Sequence, residues 1–197
     1  MTNLFPGLIQ EIKIHLSRTF NHVDAWFDKD AALRSYEPVN GGWSINQVLE
    51  HIALTNHFLL ILIEKGTKKA LNNVNNLNLQ EELAHYTFQK DKLTEVGLHQ
   101  SFPWIRPEHM EPRGEKTQDE VRQQLKDQVL HCYNCLDQLK NGEGVLYKTT
   151  MTVNDLGKMD VYEYVYFLGQ HGQRHFTQME KIEKEYLTTK RPLIDGY

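Results

Sequence analysis

Residues 160–182 read DVYEYVYFLGQHGQRHFTQMEKI, and this stretch decides the fold. Its apolar side chains recur every three to four residues, a period that predicts an amphipathic helix beginning at Asp160 and ending near Leu187. The apolar face of this helix also contains His171 and His175. Both imidazoles are therefore expected to point into the protein interior rather than into water.

Three further segments have the same helical period, and no segment has the sustained alternation of a long strand. They cover about residues 5–27, Ser44 to about Gly66, and Thr117 to about Leu139. Residues 67–116 are too long for a bare connection and predict a crossover with its own short helix near 80–93. A short extended stretch is expected within 145–159. We therefore expect a single domain over residues 1–197 with an all-α fold, a four-helix up-down bundle with a long crossover between its second and third helices.

Composition excludes several classes of function. The 197 residues carry 22 Lys and Arg against 26 Asp and Glu, and this net charge of −4 disfavours binding to nucleic acid or to an anionic membrane. The longest apolar run, Phe58 to Ile63, is far shorter than the ~20 residues that span a bilayer. The first residues lack a secretory signal pattern, and two cysteines fit a reducing compartment. A cytoplasmic protein without nucleic-acid or membrane partners is expected.

The spacing of His171 and His175 indicates a metal site. Residues four apart on a helix have Cβ atoms ~5–6 Å apart, so both imidazoles can reach one ion. Buried without an ion, they repel each other when protonated and need polar partners when neutral. Two core histidines that hydrogen-bond to other groups remain the alternative. The segment lacks the Glu of a His-Glu-x-x-His protease, and the chain lacks the two Glu-x-x-His motifs of a di-iron bundle.

A third ligand is expected from a facing helix. His51 lies on the flank of the apolar face of the second helix, whereas His57 points to the opposite side. His15 and His22 lie at the edge of the first helix's apolar face and are weaker candidates. Arg174 lies off the apolar face of the last helix and is expected to form a surface ion pair. The remaining histidines are off any apolar face and receive no role: His85, His99, His109 and His131.

Two other patterns deserve an interpretation. Cys132 and Cys135 form a Cys-x-x-Cys pair, but they stand in mid-helix and have no second pair for a zinc site. We interpret them as core residues. Trp104 and Arg106 lie in the Pro-rich loop 102–114, which either folds over one end of the bundle as a pocket wall or packs on the surface as an ordinary crossover.

Three blocks of the sequence resemble the DinB-like superfamily of damage-inducible metalloproteins and thiol transferases. They are GWSINQVLEH (42–51), the Phe102, Pro107, Pro112 and Gly114 pattern of the loop, and His171-x-x-x-His175-x-x-Gln178. The resemblance spans about residues 8–186 and implies a helical bundle with a long crossover. It also implies a divalent metal ion (Zn, Ni or Fe) held by His51, His171 and His175. Residues 151–157 lack the His-Pro pair often found there in the family.

Three neutral imidazoles leave an open position on the ion, as catalytic sites do. The resemblance implies transfer of a low-molecular-weight thiol onto an electrophile, or a related metal-dependent hydrolysis. The alternative is a metal-bearing stress-response or binding protein without turnover, so enzymatic activity stays open and no catalytic residue is assigned. The expected partners are a small-molecule thiol, an electrophile and a second copy of the chain in a homodimer.

Overall fold

Long helices dominate the structure, as the sequence predicts. The computed structural model describes residues 5–103 and 107–190. Within these ranges the helices are α1 (Phe5–Trp26), α2 (Ala31–Arg34), α3 (Ile45–Asn73), α4 (Leu79–Ala84), α5 (Lys90–Val96), α6 (Gln118–Gln138), α7 (Val161–Arg174) and α8 (Phe176–Thr189). The strands β1 (Thr149–Met151) and β2 (Gly157–Met159) form a small antiparallel hairpin in the region where an extended stretch is expected.

Three helices begin at a capping box, in which a side chain and a backbone N–H satisfy each other reciprocally. In each box, a side-chain oxygen of the residue just before the helix accepts the backbone N–H of the residue three positions later. The side chain of that later residue accepts the backbone N–H of the first residue. These pairs are Ser44 with Gln47 at α3, Thr117 with Glu120 at α6, and Asp160 with Glu163 at α7. Such caps contribute about 1 kcal/mol each and set where the long helices begin.

The long helices pack in a closed ring. Helices α1 and α3 each contact both α6 and α7. The interior of the ring is apolar, and its fully buried side chains include Ile12, Leu16, Ile52, Ile63, Leu136 and Phe167. This arrangement confirms the predicted all-α class and helical bundle. Across the part of the chain that the structure describes, no helix has both the length and the apolar character needed to cross a membrane.

The direction of the helices differs from a strict up-down order at one step. The side chain of Gln128 in α6 donates to the carbonyl of Ala53 in the first half of α3. At the other end, Asn73 of α3 donates to the carbonyl of Leu146, just beyond α6. Helices α3 and α6 therefore run in the same direction, because the crossover carries the chain from one end of the bundle back to the other.

The crossover follows α7 along this path. Near the start of α7, Glu163 accepts the backbone N–H of Gln89, and near its end Arg174 donates to the carbonyls of Val96 and Leu98. The crossover contains two short helices, α4 and α5, where the sequence predicts one near 80–93. It thus delivers the chain to the end of the bundle where His51, His171 and His175 lie.

Gly66 does not end α3, which continues to Asn73. No helix breaker stands in the TKKALNN sequence that follows, so the helix persists and the crossover begins near residue 74 instead of 67. Gly66 has a packing role, because a Cβ atom there would lie 2.9 Å from Cγ2 of Val161. The missing side chain lets α7 approach α3 closely.

The predicted last helix is divided at His175 into α7 and α8. The N–H of His175 donates to the carbonyl of Gly172, three residues back, instead of one four residues back. This is a tightened turn, and the backbone of His175 stays in the right-handed region, at φ −81° and ψ −9°.

We expect Gly66→Ala to lower the free energy of unfolding by about 1 kcal/mol. Alanine gains ~1 kcal/mol of helix propensity over glycine, but overpacking against Val161 costs ~1–3 kcal/mol. Urea unfolding followed by far-UV circular dichroism measures the difference. The matched control is Gly7→Ala in α1, where a Cβ meets nothing within 4 Å, and it should stabilise by about 0.5 kcal/mol. A Gly66→Ala variant as stable as wild type would contradict the packing role.

Candidate metal centre

Three buried histidines converge at one end of the bundle. His51 comes from α3, His171 from α7, and His175 from the junction of α7 and α8; they are 5%, 2% and 8% exposed. One ligand atom from each lies within 4.8 Å of the other two. The Nε2 atoms of His171 and His175 are 3.2 Å apart. Two nitrogens on a tetrahedral zinc ion would be ~3.3 Å apart, so this donor set fits a divalent ion.

Hydrogen bonds orient two of the three rings. Nδ1 of His51 lies 2.8 Å from the carbonyl oxygen of Met110, and Nδ1 of His175 lies 2.9 Å from Oε1 of Gln178. Each partner is an acceptor, so each Nδ1 carries the proton and donates. In the neutral rings Nε2 then has the lone pair, and both Nε2 atoms are available as ligands.

Burial keeps the imidazoles of His171 and His175 neutral. It lowers the pKa of His171 well below the usual 6.5, and the charges that His175 and His51 would carry lower it further. Burial, followed by the charge of His51, lowers the pKa of His175 to about 3. Because only a neutral imidazole has a lone pair for a metal, the fold presents these two histidines in the ligand-competent form.

A cavity of about 340 Å³ opens beside the histidines. Its lining is Gly41, Gly42, Trp43, His51, His171, Arg174, His175 and Gln178. The ring of Trp43 lies 4.8 Å from that of His51, so the loop before α3 forms one wall. Of the lining residues that the structure describes, none carries a carboxylate. The volume suits a small molecule next to the point where the imidazoles meet.

Arg174, which is predicted to form a surface ion pair, hydrogen-bonds to backbone carbonyls of the crossover. Its Nη1 donates to the carbonyls of Val96 and Leu98, and its guanidinium carbon lies 4.8 Å from the centre of the Phe102 ring. The reason is that α5 ends at Val96 against α7, and the last carbonyls of a helix need donors from outside it. Arg174 supplies one and also lines the cavity.

The other histidines do not join this group of three, although the charge that His99 would carry lowers the pKa of His175. His15 is half-buried against Tyr166, with ring centres 4.5 Å apart, and burial lowers its pKa to about 4. His131 pairs with Glu64, and the side chains exposed to solvent are those of His22, His57, His85 and His109. Within residues 5–103 and 107–190, no second group of three histidine, cysteine or acidic side chains comes together in this way.

The two cysteines fit their interpretation as core residues. Both are buried free thiols in the last two turns of α6, far from its N-terminus. Burial raises the pKa of the Cys132 thiol, which opposes the thiolate that redox or metal chemistry requires. Trp104 and Arg106, the residues considered for a pocket wall, lie outside the described residues.

Sequence reasoning missed the groups that orient the ligands. Gln178 stands three residues after His175, and this helical spacing was sufficient to predict their contact. Met110 contacts His51 only through its backbone carbonyl, and the type of a side chain does not reveal such a backbone contact. Trp43 belongs to the 42–51 block, but its packing against His51 depends on how the preceding loop folds.

Comparison with known proteins places the chain in a family. A family model for the DinB superfamily matches residues 11–179, a range that includes most of α1, the whole of α3, α6 and α7, the crossover and all three histidines. No curated protein and no solved structure matches the chain significantly. The family match covers most of the sequence and includes the three blocks that carry the resemblance, 42–51, 102–114 and 171–178. The chain belongs to the DinB superfamily.

Proposed function

We propose that the protein is a divalent-metal-dependent enzyme that transfers a low-molecular-weight thiol onto an electrophilic small molecule. The observation that carries this proposal is the position of three buried imidazoles against a cavity of about 340 Å³. Structural metal sites are closed by four protein ligands, whereas catalytic sites keep a position for substrate or water. Three protein ligands beside a cavity match the catalytic arrangement.

The three imidazole ligands limit which metals can bind and how the charge of the ion is balanced. Three imidazole nitrogens suit Zn, Ni or Fe. Since all three ligands are uncharged, they leave the ion's double positive charge uncompensated, and the described lining residues add no carboxylate. An anionic fourth ligand is therefore favoured, and a divalent ion held there lowers the pKa of a thiol or a water molecule that enters the cavity.

The cavity has room for a small-molecule thiol beside the ion. A water molecule occupies ~30 Å³ of liquid volume, roughly a tenth of this cavity. Trp43 and the three imidazoles line one side of this space. The resemblance of the sequence to the DinB-like metalloproteins and thiol transferases supports the same choice. A non-catalytic metal-binding protein and a hydrolase are the outcomes against which the proposal is tested.

We expect His51→Ala, His171→Ala and His175→Ala each to lose most of the bound zinc, because two remaining imidazoles hold the ion too weakly. Elemental analysis after dialysis measures the zinc content, and far-UV circular dichroism checks the fold. The controls are His57→Ala, which is exposed, and His131→Ala, which faces Glu64; both should keep full zinc. Retention of zinc by His171→Ala would contradict the site.

We expect the metal-free protein to lose stability as the pH falls from 6.5 towards 3. The pKa of His175 is about 3 in the folded state against 6.5 when unfolded, so the unfolded chain binds more protons in this window. Urea unfolding in a chelator measures the free energy of unfolding at each pH. His175→Gln should reduce the slope, whereas His22→Gln, at an exposed position on α1, should leave it unchanged. An equal slope in wild type and His175→Gln would contradict this assignment.

The activity itself is tested with the zinc-loaded protein. Glutathione, bacillithiol, mycothiol and coenzyme A are each supplied with a chlorodinitrobenzene-type electrophile, and thioether formation is followed. We expect one thiol to be consumed faster with wild type than with His171→Ala or metal-free protein. Binding without turnover, seen as a sulfur-to-cobalt absorption band in the cobalt-loaded protein, would indicate a binding protein. Ester or amide cleavage without thiol consumption would indicate a hydrolase.

A further inference from the structure

A buried carboxylate stands next to His51 in the chain and has no role in the proposed reaction. Glu50 is 7% exposed, and its two oxygens face the loop before α6. Oε1 accepts the backbone N–H of Arg113 at 2.9 Å and that of Gly114 at 3.1 Å, and Oε2 accepts the N–H of Gly114 at 3.0 Å. Hydrogen bonds to an ionised carboxylate are about twice as strong as neutral ones, so this contact fixes the loop firmly.

The same loop runs along α3 in the opposite direction. The ring of His109 lies 4.4 Å from that of Phe58. The hydroxyl of Thr55 donates to Sδ of Met110 at 3.8 Å. The carbonyl of Met110 accepts from Nδ1 of His51 at 2.8 Å. Successive loop residues therefore meet successively earlier positions of α3, and the contact with His51 lies between two other attachments.

This loop has little internal structure to hold it in place. Between Pro107 and Gly114 it contains only a single 3₁₀ turn, Glu108–Met110. Gly114 has a φ of +69°, a conformation that glycine adopts at low cost and that brings its N–H to Glu50. The position of the Met110 carbonyl consequently depends on contacts with α3, and the bonds to Glu50 anchor the end nearest α6.

We propose that Glu50 is a positioning residue for the metal centre. By holding the N–H groups of Arg113 and Gly114, it keeps the Met110 carbonyl against Nδ1 of His51 and so directs Nε2 of that ring to the point shared with the other two histidines. The value of this orientation to a bound ion rests on the proposed function. The effect on the proton of His51 exists in the metal-free protein as well.

Loss of this anchor should change the tautomer of His51. When the Met110 carbonyl moves away, the proton is no longer held on Nδ1, and a fraction of the rings carries it on Nε2. A ring in that form cannot bind the ion through Nε2. Residues that orient a histidine ligand in this way typically change metal affinity by ~10- to 100-fold.

The test is Glu50→Gln, which keeps the size of the side chain, removes its charge and replaces one of its two acceptor oxygens with an NH2 group that opposes the N–H of Gly114. Long-range ¹H–¹⁵N NMR spectra of the metal-free protein at neutral pH report which nitrogen of His51 is protonated. We expect Nδ1–H in wild type and a mixed population in Glu50→Gln. Competition with a chelator measures zinc affinity, which should fall by ~10- to 100-fold.

Glu64→Gln is the matched control, since Glu64 lies on the same helix but is partly exposed and pairs with His131. It should leave the tautomer of His51 and the zinc affinity unchanged. Gly114→Ala weakens the same contact from the loop side, because alanine is strained at a φ of +69°. It should shift the tautomer in the same direction, and its effect should not add to that of Glu50→Gln.

The outcomes separate this proposal from the proposed function. If Glu50→Gln keeps the wild-type tautomer, the positioning role is overturned, whether or not zinc affinity changes. If Glu50→Gln fails to fold, Gly114→Ala decides by the same criterion. If wild type binds no zinc, the metal-dependent function fails, while the NMR comparison still decides whether Glu50 orients His51.

Discussion

The candidate metal centre depends on one constraint, which is that three buried imidazoles meet at one point inside an apolar bundle. His51 stands near the beginning of α3, whereas His171 and His175 stand at the end of α7. They meet because the two helices pack in opposite directions, with Gly66 against Val161 at the other end of the contact. Burial costs these side chains their hydration, and it also lowers the pKa values of His171 and His175, which keeps these two ligands neutral. The same burial therefore forms the apolar core and keeps these ligands neutral.

The long helices were predictable because their signals are local. Hydrophobic periodicity locates α1, α6 and the α7–α8 segment within a few residues, and capping boxes mark where α3, α6 and α7 begin. The errors arise where a distant contact decides. Gly66 looks like a helix end but serves the approach of Val161. The common direction of α3 and α6 depends on the path of the crossover, which periodicity does not report.

The site was predictable in its ligands but not in their supports. The four-residue spacing of His171 and His175 on an apolar face brings two imidazoles together in any helical fold. His51 required the further knowledge of which helix faces them, and the family resemblance agrees with its position. Met110 and Glu50 act through backbone atoms of a loop, so no pattern of side chains marks them. Their roles follow only from the folded path of the chain.

The irregular crossover contacts the candidate metal centre at two places. Its first half ends against α7, where Arg174 satisfies the carbonyls of Val96 and Leu98 at the edge of the cavity. Its second half brings the Met110 carbonyl to His51. Both contacts join loop backbone to side chains that line the same cavity. Changes in the crossover should therefore affect the site before they affect the core, because the apolar ring of long helices does not depend on these bonds.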